Sequence, residues 1–561
     1  MIPGIAKPLR ALQSFGSVLA VVALFASSGW AQPQPAPRPA AAGLTGPFRI
    51  AGQVVNGVTG EPVRRATVAI LADEDREILR SVQSDAEGRF AIDHLPAGKY
   101  PLTASKRGFR AAFYDEHDDF NSAIVTGKDQ DTGNLVFRLM PGAVLHGVVT
   151  ADGGDPAENA SVLLFKREDD AGPNSAHADI KEADGATTDD TGAYEFSGLA
   201  AGEYFVVVTT SPWYAMHPPA GARNGNSSNE PSPLDVAYPV TFYDSTTDEA
   251  SATPIQIAAG TREQADITLH AVPALHLQVA APFRQKGNAI ARPELRQMIF
   301  GMQVSAESAG FLDAMQTGFT EFNGIAPGHY ELVQGDPPRI TELDASSDQS
   351  IDPALGTPAV SVSGTLRSAS GAALPENVTL LLEAADGQTR APIPTNAHNG
   401  KFKFDAIPGG TWRLWATHQG GDMPIVSVSS AEGSTAGSQF TIKDRPVFLA
   451  VTVSQSLSRV EGFARSEGKG VSGAMIVLVP RKPSAYRALL RRDQSDSDGS
   501  FSLRDVPAGQ YTVIAIEDGW KLDWKQRENM VRYLADGVAV TVGDTPGGVV
   551  SLSQPVPVRA R

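Results

Sequence analysis

The residues that could do chemistry in this chain are scattered. Ten histidines stand at positions 94, 117, 146, 177, 217, 270, 276, 329, 398 and 418. A zinc hydrolase needs two histidines and a carboxylate converging on the metal, and none of these begins an H-x-x-E or H-E-x-x-H pattern. Gly433-Ser434-Thr435-Ala436-Gly437 carries Thr where a nucleophile elbow needs Ser. Gly468-Lys469-Gly470 lacks the hydroxyl residue and upstream spacing of a phosphate loop. The chain has no cysteine, which removes disulfides, thiol catalysis, zinc–thiolate sites, iron–sulfur clusters and a cysteine-anchored lipid. These patterns predict no enzyme, no catalytic residue, no cofactor and no metal site.

Three carboxylates, Asp493, Asp496 and Asp498, precede Gly499. A calcium loop needs oxygens at alternate positions and a later bidentate Glu, so this spacing reads as a hairpin turn. Aromatic faces can stack on sugar rings. Trp213 and Tyr214 precede a long polar loop, Pro218 to Pro233, and are weak candidates for ligand binding. Trp520 and Trp524, at the edge of a helical segment from Lys525 to Ala535, are a second weak pair. Phe113-Tyr114 and Phe242-Tyr243 recur at matching places and read as packing. One basic cluster, Arg481, Lys482, Arg487, Arg491 and Arg492, surrounds a short helical insert, Ser484 to Leu490. Its plainest reading is a solvated helix face. The sharper one is contact with an acidic surface of this chain or of a glycan.

The elements that position these residues are set by length and pattern. A chain of 561 residues exceeds one hydrophobic core and predicts several domains. Lys7 and Arg10, the apolar run Val18 to Ala26, and small residues at Gly29 and Ala31 form a secretory signal peptide at 1–31. Nine apolar residues are too few to span a bilayer of ~30 Å. The leader carries two positive charges, so a net charge of −16 becomes −18 from Gln32 onward. Such a surface argues against nucleic acid. No later stretch is long and apolar enough for an integral span. Export to the periplasm, the cell surface or the medium is expected. Residues 32–46 form a Pro/Ala-rich linker.

The rest of the chain is an internal repeat. Turn glycines Gly88, Gly192, Gly318, Gly400 and Gly499 are each followed ten residues later by Gly98, Gly202, Gly328, Gly410 and Gly509. Two residues further stand Tyr100, Tyr204, Tyr330, Trp412 and Tyr511. Leu95, Leu199, Ile325, Ile407 and Val506 hold the seventh position, and Ile92, Phe196, Phe322, Phe404 and Leu503 the fourth. Asp and Ser before the first glycine cap turn amides, and glycine accepts φ > 0. Alternation then predicts strands with one buried face. The second glycine marks a corner behind which the ring packs inward, its polar tip reaching backbone. Many short strands between turn signals predict antiparallel sandwiches. The expected units are 47–140, 141–271, a divergent 272–350, 351–445 and 446–561.

The skeleton is clearest in the first unit, in Gly52, Val54, Gly60, Pro62, Ala66, Val68, Ser84, Asp85, Gly88, Phe90, Leu95, Pro96, Gly98 and Tyr100. It resembles the carboxypeptidase regulatory-like domain and its Cna-B, transthyretin-like and starch-binding-like relatives. The resemblance implies an all-β chain of about five immunoglobulin-like or prealbumin-like sandwiches. In that family the module accompanies catalysis rather than performing it. The expected function is a non-catalytic scaffold for binding, adhesion or spacing at a bacterial envelope. Alternatives are carbohydrate binding through loops, or an accessory subunit of a peptidase or outer-membrane transporter. Polysaccharide and envelope protein are the expected partners. Short connectors predict sandwiches joined end to end with small contacts.

Overall fold

The computed structural model describes residues 44–561, apart from 74–75, 119, 168–179, 218–231, 281–292, 309–318, 336–337, 386–391, 419–420, 431–434, 456, 483–488, 525, 544 and 546. The leader, most of the linker, Gly318, Arg487, Lys525 and most of the helical insert at 484–490 lie outside the described residues, as does nearly all of the 218–233 loop.

Five sandwiches repeat one strand plan. In the first, Phe48–Asn56 lies between Arg89–Leu95, antiparallel, and Leu135–Leu139, parallel. The facing sheet runs Ile78–Gln83, Thr67–Leu71, Leu102–Ser105, Ala112–Phe113. Alternate residues of both sheets, among them Val54, Ile92, Leu102 and Phe137, meet as a closed core. The same opening strand recurs as Ala143–Thr150, Leu275–Ala280, Thr357–Ser368 and Ser458–Ser466. Each pairs antiparallel with the strand that comes after the turn glycine, and parallel with a strand near the end of its unit. The described strand pairs are otherwise antiparallel, except in the fifth unit, where Val556–Ala560 also runs parallel to Ser458–Ser466 and to Gly509–Glu517. A unit whose first and last strands run the same way receives the chain at one end and releases it at the other.

A bulge sits at the same place in every unit. The antiparallel partner of the opening strand gains one residue, with register shifts between Phe48/Ile50, Ala143/Val144, Leu275/His276, Val360/Val362 and Ser458/Val460. His94, Gly198, Gly324, Ala406 and Asp505, six residues after the turn glycine, absorb it at φ between 55° and 76°. Bulges bend a strand and re-aim its side chains.

The joints are more substantial than short connectors suggest. Phe300, at the tip of a hairpin in the third sandwich, inserts its ring among Phe165, Phe205 and Phe242 of the second, with centroids 5.2–5.6 Å away. Asp235 accepts hydrogen bonds from His217 Nδ1 (3.0 Å) and His276 Nε2 (2.8 Å) beside the same joint. Between the third and fourth sandwiches Ile340 pairs with Thr357, so one sheet continues across both. In the fifth, the outer face of Met475, Val477, Val479, Ile514 and Ile516 is covered by the segment holding Met530 and Tyr533. That segment includes the helix Arg527–Val531.

The end-to-end arrangement expected from the sequence is corrected at a larger scale. The first and fifth sandwiches touch, joining residues almost four hundred positions apart. Connector length limits contact only between neighbours, and here the array folds back on itself.

Candidate functional site

The repeat's own machinery explains how the two sandwiches meet. In the first unit Ser84 donates to the carbonyl of Val63 (2.7 Å) and accepts from the N–H of Ala66 (2.9 Å). Thr188 and Ser495 make the same pair of bonds in the second and fifth units. Asp85 Oδ1 accepts from the amides of Glu87 and Arg89, and Asp189 Oδ1 from those of Thr191 and Ala193. In the fifth unit Asp498, at the place of Glu87 in the first, takes the amide of Ser500 (2.9 Å). Asp496 is thereby released from that capping bond. It accepts from the N–H of Ala123 (2.8 Å) and pairs with Lys99 Nζ (2.6 Å), both in the first sandwich.

A polar clasp surrounds this contact. The Ser497 amide donates to the Ala123 carbonyl (3.0 Å), and Ser497 Oγ accepts from the Val125 amide (2.8 Å). Gln494, 2% exposed, donates to the carbonyl of Asp115 and to Ser122 Oγ. Asp115 approaches where Gly473 has no Cβ, at φ 75°. The Arg492 side chain, 8% exposed, pairs with Asp118 at 2.9 Å. Its guanidinium lies over Trp524 (4.3 Å), Phe120 (5.0 Å) and Trp520 (5.2 Å), an arrangement that favours a desolvated cation. His117 stacks on Trp520 at 5.0 Å. Burial alone would lower the Lys99 pKa, but the carboxylates of Asp496, Asp498 and Asp73 together offset it and hold the ammonium above its usual range, while burial raises the Asp496 carboxyl despite the Lys99 charge.

Beside the clasp the two sandwiches leave a cleft of about 610 Å3. Asp73, Arg76, Lys99, Phe120 and Asn121 face it from the first sandwich. Arg491, Asp493, Ser502, Arg504, Asp505 and Trp524 face it from the fifth. The bulge sets part of this wall, because Asp505 is the fifth unit's bulged residue and its carbonyl accepts from Arg491 Nε (2.9 Å). Burial pushes the Asp493 carboxyl up to about 7, against the amides of Ser502 and Gln494 that favour its charged form. Ser502 Oγ is buried without a hydrogen-bond partner among the described residues.

The residues that the sequence singles out divide between corners, joints and solvent. Tyr100, Tyr204, Tyr330 and Tyr511 each donate a hydroxyl to the carbonyl four residues back, at 2.8–3.1 Å, and Trp412 Nε1 does the same to Pro408. Gly88, Gly192, Gly400 and Gly499 lie at φ 68–83°. Gly98, Gly328 and Gly509 do not lie at positive φ. Their bare Cα atoms instead abut the ring two residues on, and a Cβ at Gly509 would stand 3.0 Å from Tyr511. Trp213 is 92% exposed, edge-on to Tyr214 at 5.7 Å. Trp520 packs within the clasp, its Nε1–H donating to Gly473 (3.0 Å). Trp524 lines the cleft. Arg491 and Arg492 stand on a strand against the first sandwich, so a solvated helix face is not their setting. Tyr114 and Tyr243 pack on their own cores. Lys99, Asp118 and Ser122 escape a reading of the sequence, because their residue types carry no signal of a partner so distant.

Residues 49–139, the first sandwich, match the family model of the carboxypeptidase regulatory-like domain. No curated protein sequence matches the chain. Among solved structures, the Bacillus anthracis TIE protein is 12% identical, with 72% of this chain and 74% of that one covered and a TM-score of 0.17. A streptococcal ancillary pilin is also 12% identical, over 54% and 97%, at TM-score 0.19. Two B repeat units of the collagen binding protein of Staphylococcus aureus are 10% identical, over 72% and 99%, at 0.12. Similarity that low carries no argument about activity. No helix among the described residues is long and apolar enough to cross a membrane.

Proposed function

We propose that the chain is an exported, non-catalytic scaffold of five sandwiches that works by binding at or outside a bacterial cell envelope, with its first and fifth units fastened together. The carrying observation is the clasp around Lys99–Asp496, in which a repeated turn is diverted from capping itself to holding another sandwich. A partly buried ion pair supported by backbone hydrogen bonds on both sides holds a geometry better than an exposed pair does. The leader pattern supports export. Small-angle scattering of the mature chain tests the architecture on which binding depends. The wild type is compact, and Lys99→Ala/Asp496→Ala has a larger maximum dimension. A wild type as long as five sandwiches in a row rejects the scaffold as drawn.

A second reading, saccharide binding on a loop, is favoured by Trp213, whose indole is 92% exposed with Tyr214 against its edge. An apolar ring held in water by its backbone is the form a stacking platform takes. On that reading Trp213→Ala is the variant that loses glycan retention.

A further inference from the structure

We propose that the cleft between the first and fifth sandwiches binds an oligosaccharide carrying carboxylate groups. The inference rests on the fastened arrangement, since neither sandwich alone walls the cleft. At about 610 Å3 it falls within the ~300–1,000 Å3 range of ligand sites.

Charge narrows the ligand. The cleft gathers Arg76, Lys99, Arg491, Arg492 and Arg504 against Asp73, Asp493, Asp496 and Asp505. That inverts the balance of a chain with a net charge of −16. Lys99 and Arg492 are committed to Asp496 and Asp118. Arg504 and Asp73 are about half exposed and 3.7 Å apart, and the exposed Arg76 donates to Asn121 Oδ1 (3.1 Å) with its guanidinium 4.9 Å from the Phe113 ring. These loosely held guanidinium groups can turn to a carboxylate, which they bind in a two-pronged geometry.

The same wall also holds acceptors. A polyphosphate or a run of acidic side chains would meet the carboxylates of Asp73 and Asp505 as well as the cations. An uncharged sugar would leave the guanidinium groups without a counter-charge. A saccharide with acid groups answers both demands, because its hydroxyls donate to carboxylates while its isolated acid groups accept from arginine. Ser502 Oγ, buried and lacking a partner among the described residues, offers a further hydroxyl contact. Trp524 adds a flat face to the wall. A carboxyl held near 7 at Asp493 keeps a share of the neutral acid near neutrality, able to donate to a sugar oxygen.

The test is calorimetric titration of the mature full-length chain with a short oligosaccharide bearing a carboxylate on every second sugar, a hyaluronan tetrasaccharide. Comparison arms are an uncharged oligosaccharide of equal length, poly-glutamate and inorganic phosphate. The tetrasaccharide binds, more weakly at high salt, and the three comparison ligands do not. Ser502→Ala loses about 5–10-fold in affinity, the worth of one hydrogen bond. Its melting temperature stays level or rises, because the hydroxyl it removes has no hydrogen-bond partner among the described residues. Arg76→Gln/Arg504→Gln loses at least about tenfold. No binding by the wild type, or full affinity in both variants, overturns the proposal. Equal binding of poly-glutamate makes the cleft a peptide site instead, and loss in Trp213→Ala alone moves the saccharide to that loop. Scattering on the same samples separates the two readings. A compact chain that fails to bind sinks only the ligand, whereas an extended one sinks the fastening.

Discussion

The two glycines of each repeat do different work. Gly499 sits at φ 83°, where a Cβ would also press within 2.5 Å of the Ala464 carbonyl. Gly98 has ordinary backbone, and a Cβ there would meet the Tyr100 ring at 3.4 Å, near normal contact. Gly499→Ala is therefore expected to destabilise its sandwich by about 2 kcal/mol or more, and Gly98→Ala by at most about 1 kcal/mol. Gly509→Ala falls between, because its Cβ would lie 3.0 Å from the Tyr511 ring. Urea unfolding read by hydrogen exchange in each sandwich gives the order, and equal losses at Gly98 and Gly499 would refute the division of roles. The turn residues and buried rings were legible in the sequence because side-chain chemistry dictates both. The bulged position was not. His94, Gly198, Gly324, Ala406 and Asp505 share a backbone conformation, but only two of the five are glycine and the other three all differ.

At the scale of elements, the strand Arg491–Gln494 and the turn after it carry both the clasp and the cleft wall. Asp493 makes this strand sensitive to pH. Its carboxyl is raised from 3.8 to about 7 by burial, so the folded state holds the proton more tightly than the unfolded one. Stability then falls as pH rises from about 4 to about 7, and the whole penalty is present above 7. Asp493→Asn keeps an oxygen for the Ser502 amide and removes the buried charge. It is expected to melt higher than wild type at pH 8 and alike near pH 4. A lower melting temperature at pH 8 would mean that the charge is stabilising. The strands and turns here were readable from alternation and from the Asp-Gly lead-in. Their second role was not, because Asp85 and Asp189 show the same lead-in closing its own turn.

For the whole molecule, the sequence announces five similar units but not how they lie together. Parallel first and last strands send the chain through each sandwich from end to end, which favours a row. The joints override that tendency through contacts no local pattern encodes, such as Phe300 among three rings of the second sandwich and Lys99 on Asp496. Arg491 and Arg492 were visible as a basic cluster, yet Asp118 is an unremarkable acid in a loop until the fold brings it over. The central claim is that the first and fifth sandwiches are held together. Hydrogen-exchange mass spectrometry of the full chain tests it most directly, because the amides of Ala123, Val125 and Ser497 find their partners only across the clasp. Segments 120–126 and 494–500 should both exchange slowly, and Asp496→Ala should speed both together. Fast exchange of both in the wild type, or acceleration confined to the fifth sandwich, would show the two units standing apart.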